Sequence, residues 1–179
     1  RGGDGNDFIA SDNGNTSDDI VDGVAGADRV DDAAITITLT DTTYISNGLV
    51  SPNHGVETWN LYGTDITNDV FDASAWTGSG IFMLTYGGND VLKGGAGNDD
   101  LRGGNGDDTL EGNGGNDALD ANDGGQRGGN DILRGGDGND FIASDNGNTS
   151  DDIVDGGPGA DRVDDAAITI TLTDTTYIS

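Results

Sequence analysis

Gly94-Gly95-Ala96-Gly97-Asn98-Asp99-Asp100-Leu101-Arg102 is followed without a gap by Gly103-Gly104-Asn105-Gly106-Asp107-Asp108-Thr109-Leu110-Glu111. A third copy follows, Gly112-Asn113-Gly114-Gly115-Asn116-Asp117-Ala118-Leu119-Asp120. Each unit has nine residues and reads G-G-x-G-x-D-x-L-x, with Asn113 standing at the second position of the third copy. The glycines open backbone conformations closed to other residues, so several carbonyls can be aimed at one point. The aspartate at the sixth position adds a carboxylate there. Oxygen ligands without sulfur or imidazole suit a hard cation, calcium before magnesium. The last three residues form a short strand, with Leu101, Leu110 and Leu119 on one side and Arg102 and Glu111 on the other.

Three abutting nonapeptides with Asp and Leu in phase resemble the calcium-binding repeats of secreted bacterial RTX (repeats-in-toxin, hemolysin-type) proteins. The resemblance implies an all-β fold, a right-handed parallel β-roll or β-solenoid. One unit is then one turn and one strand, and two units close a coil of about 18 residues. Coils stack as parallel strands about 4.8 Å apart. Leucines fill the interior, and calcium ions lie in rows along both edges, each shared by turns n and n+2. That places Asp90 with Asp108 and Asp99 with Asp117. Carried along the chain, the motif gives metal ligands at Asp7, Asp19, Asp28, Asp69, Asp90, Asp99, Asp108, Asp117, Asp131, Asp140, Asp152 and Asp161.

Composition agrees. The 179 residues carry 34 acids and 7 Lys or Arg, a net charge of −27. Glu57 and Glu111 are the only glutamates, as expected if a short carboxylate must close a tight turn. With 32% hydrophobic residues, a conventional two-layer core is not expected, and the calcium-free chain should be largely disordered. Calcium would cancel repulsion and contribute folding energy. No basic patch points to nucleic acid. No apolar run approaches membrane-spanning length, so membrane insertion is not expected. Metal, not disulfides, would stabilise this cysteine-free chain. The RTX resemblance implies type I export and an extracellular or bacterial cell-surface location.

A longer repeat overlies the nonapeptides. Residues 1–46 and 134–179 differ only where Val24-Ala25 stands against Gly157-Pro158, a period of 133. The expectation is a window on a longer tandem array. The chain divides into RTX units at 1–31, a degenerate solenoid segment at 32–86, an RTX β-roll at 87–164, and the next degenerate segment from 165–179. Within 1–31, Gly14–Asp22 is a degenerate unit. Within 32–86, alternating Ile35–Thr40, Val56–Gly63 and Ile81–Tyr86 read as strands, and Asn68–Asp72 as a nonapeptide end. This segment is expected to continue the solenoid, with large side chains replacing calcium. A terminal strand is expected at Ile168–Ile178. Seven half-coils between Asp28 and Asp90 would keep about 18 residues per coil and make the period seven coils, roughly 34 Å of rise.

Other features give weaker leads. His54 stands alone in a turn-like run, which argues against zinc or catalysis. Trp59, Phe71, Trp76, Phe82 and Met83 read as core rather than a ligand groove. The threonine row Thr36, Thr38, Thr40 is too narrow for ice binding. Asn15-Thr16-Ser17 and Asn148-Thr149-Ser150 match the glycosylation sequon. Calcium turns account for the paired aspartates, so no enzyme is expected. The expected function is a secreted calcium-binding structural repeat that self-associates end to end as a fibre, adhesin stalk or surface-layer element. Alternatives are an RTX folding and export module of a toxin, protease or lipase, and a ligand-binding adhesin domain.

Overall fold

The computed structural model describes residues 3–10, 24–25, 27–33, 36–47, 49–53, 55–121, 129–144, 152–164 and 171–172. Asp19, His54, the unit Gly14–Asp22, both sequons and most of the expected strand Ile168–Ile178 lie outside them. Among the described residues there are strands and turns but no helix. Most successive strands alternate between two facing sheets, one of eight strands and one of nine, and pair in parallel with the strand one coil away; Gly3–Asp4 and Val24–Ala25 form a further two-stranded parallel sheet. The chain is therefore a parallel β-solenoid.

The nonapeptide explains the architecture. Its leucine position points inward: Leu92, Leu110, Leu133 and Val154 from one sheet, Leu101, Leu119 and Ile142 from the other, all with no solvent exposure, while Ile9 and Val163 at the outer coils are partly buried. Each such side chain contributes about 1.5–3 kcal/mol by burial. Equivalent leucines stack because the coil length fixes the register. Asp100 pairs with Ala118 and Val91 with Thr109, each 18 residues on.

Coil length is not uniform, which corrects the expectation of about 18 throughout. Thr109 pairs with Ile132, 23 residues on, and Ile132 with Ile153, 21 on. The first step spans the inserted 121–128 sequence, and the second spans Ser144-Asp145-Asn146, the three-residue insertion before a degenerate unit. Both insertions fall in sequence between strands, and the leucine column is unbroken.

The segment 32–86 departs further. Thr36–Thr40 and Val70–Ala75 join one sheet, and Thr58–Tyr62 and Ile81–Leu84 the other, so the solenoid is continuous through it. Thr43–Ser46 and Leu49–Pro52 do not form a coil. They fold as an antiparallel hairpin laid against the edge of Thr36–Thr40. Asn47 takes a left-handed φ of 48° at the hairpin turn, as an Asn-Gly turn requires.

The hairpin consumes residues that seven half-coils would have used. Asp28 and Asp90 are thus five half-coils apart: Arg29–Ala33, Thr36–Thr40, Thr58–Tyr62, Val70–Ala75, Ile81–Leu84 and Val91–Lys93 alternate between the sheets. The parity is odd, as required, but the count is lower. From Phe8–Ala10 the same sheet runs through Arg29–Ala33, Thr58–Tyr62, Ile81–Leu84, Asp100–Arg102 and Ala118–Asp120 to Phe141–Ala143. The 133-residue period is six coils, not seven, with a rise of about 29 Å rather than 34 Å.

Large side chains fill the widened middle. Trp59, Leu61, Phe71 and Met83 are fully buried, and Trp76 is 6% exposed. Phe82 is not core. Ile81 and Met83 point inward from its strand, so alternation turns Phe82 outward. There its ring packs 5.8 Å from Tyr62, with the Arg102 guanidinium 5.2 Å above it.

Candidate metal centre

The sixth-position aspartates form two ladders, one along each edge of the solenoid. On one edge the Asp69 N–H donates to Asp90 Oδ1, Asp90 N–H to Asp108, and Asp108 N–H to Asp131, each at 2.8 Å; Asp131 N–H donates to Asp152 at 2.9 Å. On the other edge Asp99 donates to Asp117 and Asp117 to Asp140 at 2.8 Å, and Asp140 to Asp161 at 2.9 Å. Asp7 donates to Asp28 at 2.8 Å in the same way. The expected pairs Asp90 with Asp108 and Asp99 with Asp117 are neighbours in these ladders.

One carboxylate oxygen is thus used for stacking. The other is not. Oδ2 of Asp28, Asp90, Asp108, Asp117 and Asp140 is buried with no hydrogen-bond partner. An unsatisfied buried charged oxygen is costly. The first glycine of each unit makes room for this atom. A Cβ built on Gly103, Gly112 or Gly135 would lie 2.3, 2.2 or 2.1 Å from Oδ2 of Asp108, Asp117 or Asp140. At Gly112 and Gly135 it would also lie 2.5 Å from the carbonyl oxygen of Gly135 and Gly156, one coil on. The missing side chain leaves a cradle bordered by a carboxylate oxygen and a carbonyl of the neighbouring turn. That donor set fits calcium. Among the described residues, no three His, Cys, Asp or Glu side chains form a metal-binding group, so backbone carbonyls would supply the larger share of ligands.

Electrostatics make the same point. Burial, reinforced by the charges of Asp90, Asp131 and Asp107, pushes Asp108 up to about 8. Burial, reinforced by Asp99 and Asp140, pushes Asp117 up to about 7. Asp99 is pushed up to about 6 by burial. Asp90 and Asp140 are also raised, chiefly by burial. The ion pairs of Lys93, Arg102, Arg134 and Arg162 are made with Glu111, Asp100 and Asp164 on the strands, not with the ladders. A cation in the turns would favour the ionised ladder.

Three rungs differ. Asp69 has both oxygens occupied: Oδ2 accepts from Thr64 N–H at 2.7 Å, and Oδ1 from the Thr67 hydroxyl at 2.8 Å. The Thr64 and Thr67 hydroxyls also bond each other. Protein groups here do what an ion would do elsewhere. Ile81 stands at an aspartate position, and its N–H donates to Asp99 Oδ1 at 2.7 Å. Glu57 continues the Asp7–Asp28 ladder, accepting the Asp28 N–H at 2.7 Å. Glu57 does not match the nonapeptide's aspartate, although it precedes inward Trp59 by the same two residues that separate Asp99 from Leu101.

A second, outer ladder uses the fifth position. Asn116 N–H donates to Asn98 Oδ1 and Asn139 N–H to Asn116 Oδ1, both at 2.8 Å; Asn89 N–H donates to Asn68 Oδ1 at 2.9 Å. Asp107 takes this role between Asn89 and Asn130. The outer ladder donates toward the lower-numbered coil, the aspartate ladder toward the higher-numbered one, so each turn is tied in both directions. The recurrent Asn-Asp dipeptide is the sequence signal for it.

Stacked glycine turns, buried carboxylates with one oxygen unsatisfied and two facing strand columns define a calcium-type β-solenoid. The family model for the RTX calcium-binding nonapeptide repeat (4 copies) matches residues 1–17, 84–119, 97–125, 127–150 and 146–164. These ranges cover more than half of the chain, which belongs to that family. Its repeats bind calcium. A comparison with curated proteins finds no match.

Proposed function

We propose that this chain is a secreted, extracellular structural solenoid whose turns fold on calcium. Its 133-residue repeats stack end to end as a fibre, adhesin stalk or surface-layer element, with a structural rather than catalytic role. One observation carries the reading: the long repeat equals a whole number of coils. Phe8–Ala10 and Phe141–Ala143 hold equivalent places in the same sheet. Their surroundings repeat too, with Arg29 5.5 Å above the Phe8 ring and Arg162 5.1 Å above that of Phe141. Successive copies can therefore continue one lattice without a change of face. Low calcium inside a cell would leave an acidic, repelling chain; millimolar calcium outside would order it coil by coil. The test is electron microscopy of the chain with and without calcium. Filaments of solenoid width are expected only with calcium; discrete particles at all concentrations would sink the array reading.

A further inference from the structure

Two stretches of identical sequence meet different partners. Thr36–Thr40 pairs in parallel with Val70–Ala75 on one side. Its other side carries the hairpin, with Thr38 opposite Ile45 and Leu39 opposite Tyr44, antiparallel. Thr171 and Leu172 repeat Thr38 and Leu39 one period later. They pair in parallel with Ile153–Asp155, Thr171 opposite Ile153 and Leu172 opposite Val154. The same strand sequence can thus take either an antiparallel hairpin or a parallel coil strand.

The hairpin has the features of a cap. It covers an edge that would otherwise offer free N–H and C=O groups to another chain. Asn47 N–H donates to Thr36 O at 2.8 Å, and Thr36 N–H returns to Asn47 Oδ1 at 3.1 Å. Buried Asn53 donates from Nδ2 to Thr40 O at 3.0 Å. The outer hairpin strand ends at Pro52, which has no N–H to offer. These are polar ties at the rim, whereas the coil strands are held by the buried column.

We propose that this edge is the joint between copies of the chain. Thr36–Thr40 of one copy docks beside Ile153–Asp155 of another, displacing Thr171–Leu172 from that place, and the Thr43–Pro52 hairpin is a detachable cap. The docking sequence is already seated on Ile153–Asp155, as Thr171 and Leu172. The proposal rests on the end-to-end association above and adds the strand, the register and the cap.

The chain has no cysteine, so disulfide trapping reads the joint directly. Full-length Thr38→Cys and Ile153→Cys chains are mixed with calcium and a mild oxidant. Parallel partners lie within disulfide reach, so the mixed dimer should exceed a Thr38→Cys with Thr109→Cys control by roughly tenfold. Asn47→Gly, which drops the Oδ1 tie, should raise the yield. In the unsubstituted chain, amide exchange of the 43–52 hairpin should quicken as concentration rises. Yields equal to the control, with hairpin exchange independent of concentration, overturn the joint. If sedimentation nevertheless shows assembly, end-to-end association survives without this joint; a monomer at every concentration sinks both.

Discussion

Replacing Asp108 with asparagine separates the two jobs of its carboxylate. Oδ1 accepts the Asp90 N–H at 2.8 Å, and an asparagine keeps that bond. What it removes is the charge on the unsatisfied Oδ2. In the ion-free fold that carboxyl sits at about 8, against 3.8 for an ordinary aspartate. At pH 7 the unfolded chain is ionised there and folding must take up a proton. At about 1.4 kcal/mol per pH unit above the ordinary value, the cost is about 4 kcal/mol. Asparagine avoids it, but its buried Nδ2 needs an acceptor and costs about 1–3 kcal/mol if none is found. The ion-free fold should therefore gain about 1–3 kcal/mol by this difference. With calcium the sign reverses: the ion loses a charged oxygen, a loss of about 3–5 kcal/mol on the scale of a broken buried ion pair. Urea melts in calcium-saturated buffer, and strand circular dichroism against pH in calcium-stripped buffer, read the two arms. Opposite signs are expected. The same sign in both would refute the assignment of Oδ2 to an ion.

Further outcomes follow from the same turns. Because folded Asp99, Asp117 and Asp108 are raised to about 6, 7 and 8, the ion-free fold has its full stability below the ordinary carboxylate value and loses it as pH rises from about 4 to 8. Calcium affinity should rise over that window, since protons and ions compete for the same oxygens; a calorimetric titration at pH 5 and 8 checks both. Gly112→Ala puts a Cβ 2.2 Å from Asp117 Oδ2 and should cost a calcium site, whereas Gly114→Ala, with nothing nearer than 3.8 Å, should not; equilibrium dialysis separates them. Asp69→Asn should leave calcium stoichiometry unchanged, since both of its oxygens are already bonded, while Asp140→Asn should lower it. Trp59→Ala should destabilise the calcium-loaded chain by about 3–5 kcal/mol through the cavity it leaves, measured by urea melts.

The nonapeptide made most of the fold legible, because one unit states turn, strand and inward residue together. Leu101, Leu110 and Leu119 lie in the interior as the pattern requires, and the aspartates stack one coil apart. Between Asp28 and Asp90 the number of coils is not legible in the sequence, for a definite reason. Alternation marks Ile35–Thr40 as a strand but does not say what pairs with its edge. Only Asn47-Gly48, a two-residue hairpin signal, distinguishes an antiparallel excursion from another coil. Phe82 shows the limit of reading aromatics as core: in a strand, parity outranks hydrophobicity. Glu57 was hidden because the motif specifies aspartate, whereas the ladder needs only a carboxylate oxygen within reach of the next N–H.

Circular dichroism during a calcium titration of the stripped chain, followed by chelation, tests calcium-driven folding most directly. Strand signal should be weak at the start, rise cooperatively with calcium but not with equal magnesium, and collapse on chelation. A full strand signal in the stripped chain at pH 7.5, unchanged by calcium or chelator, would contradict it.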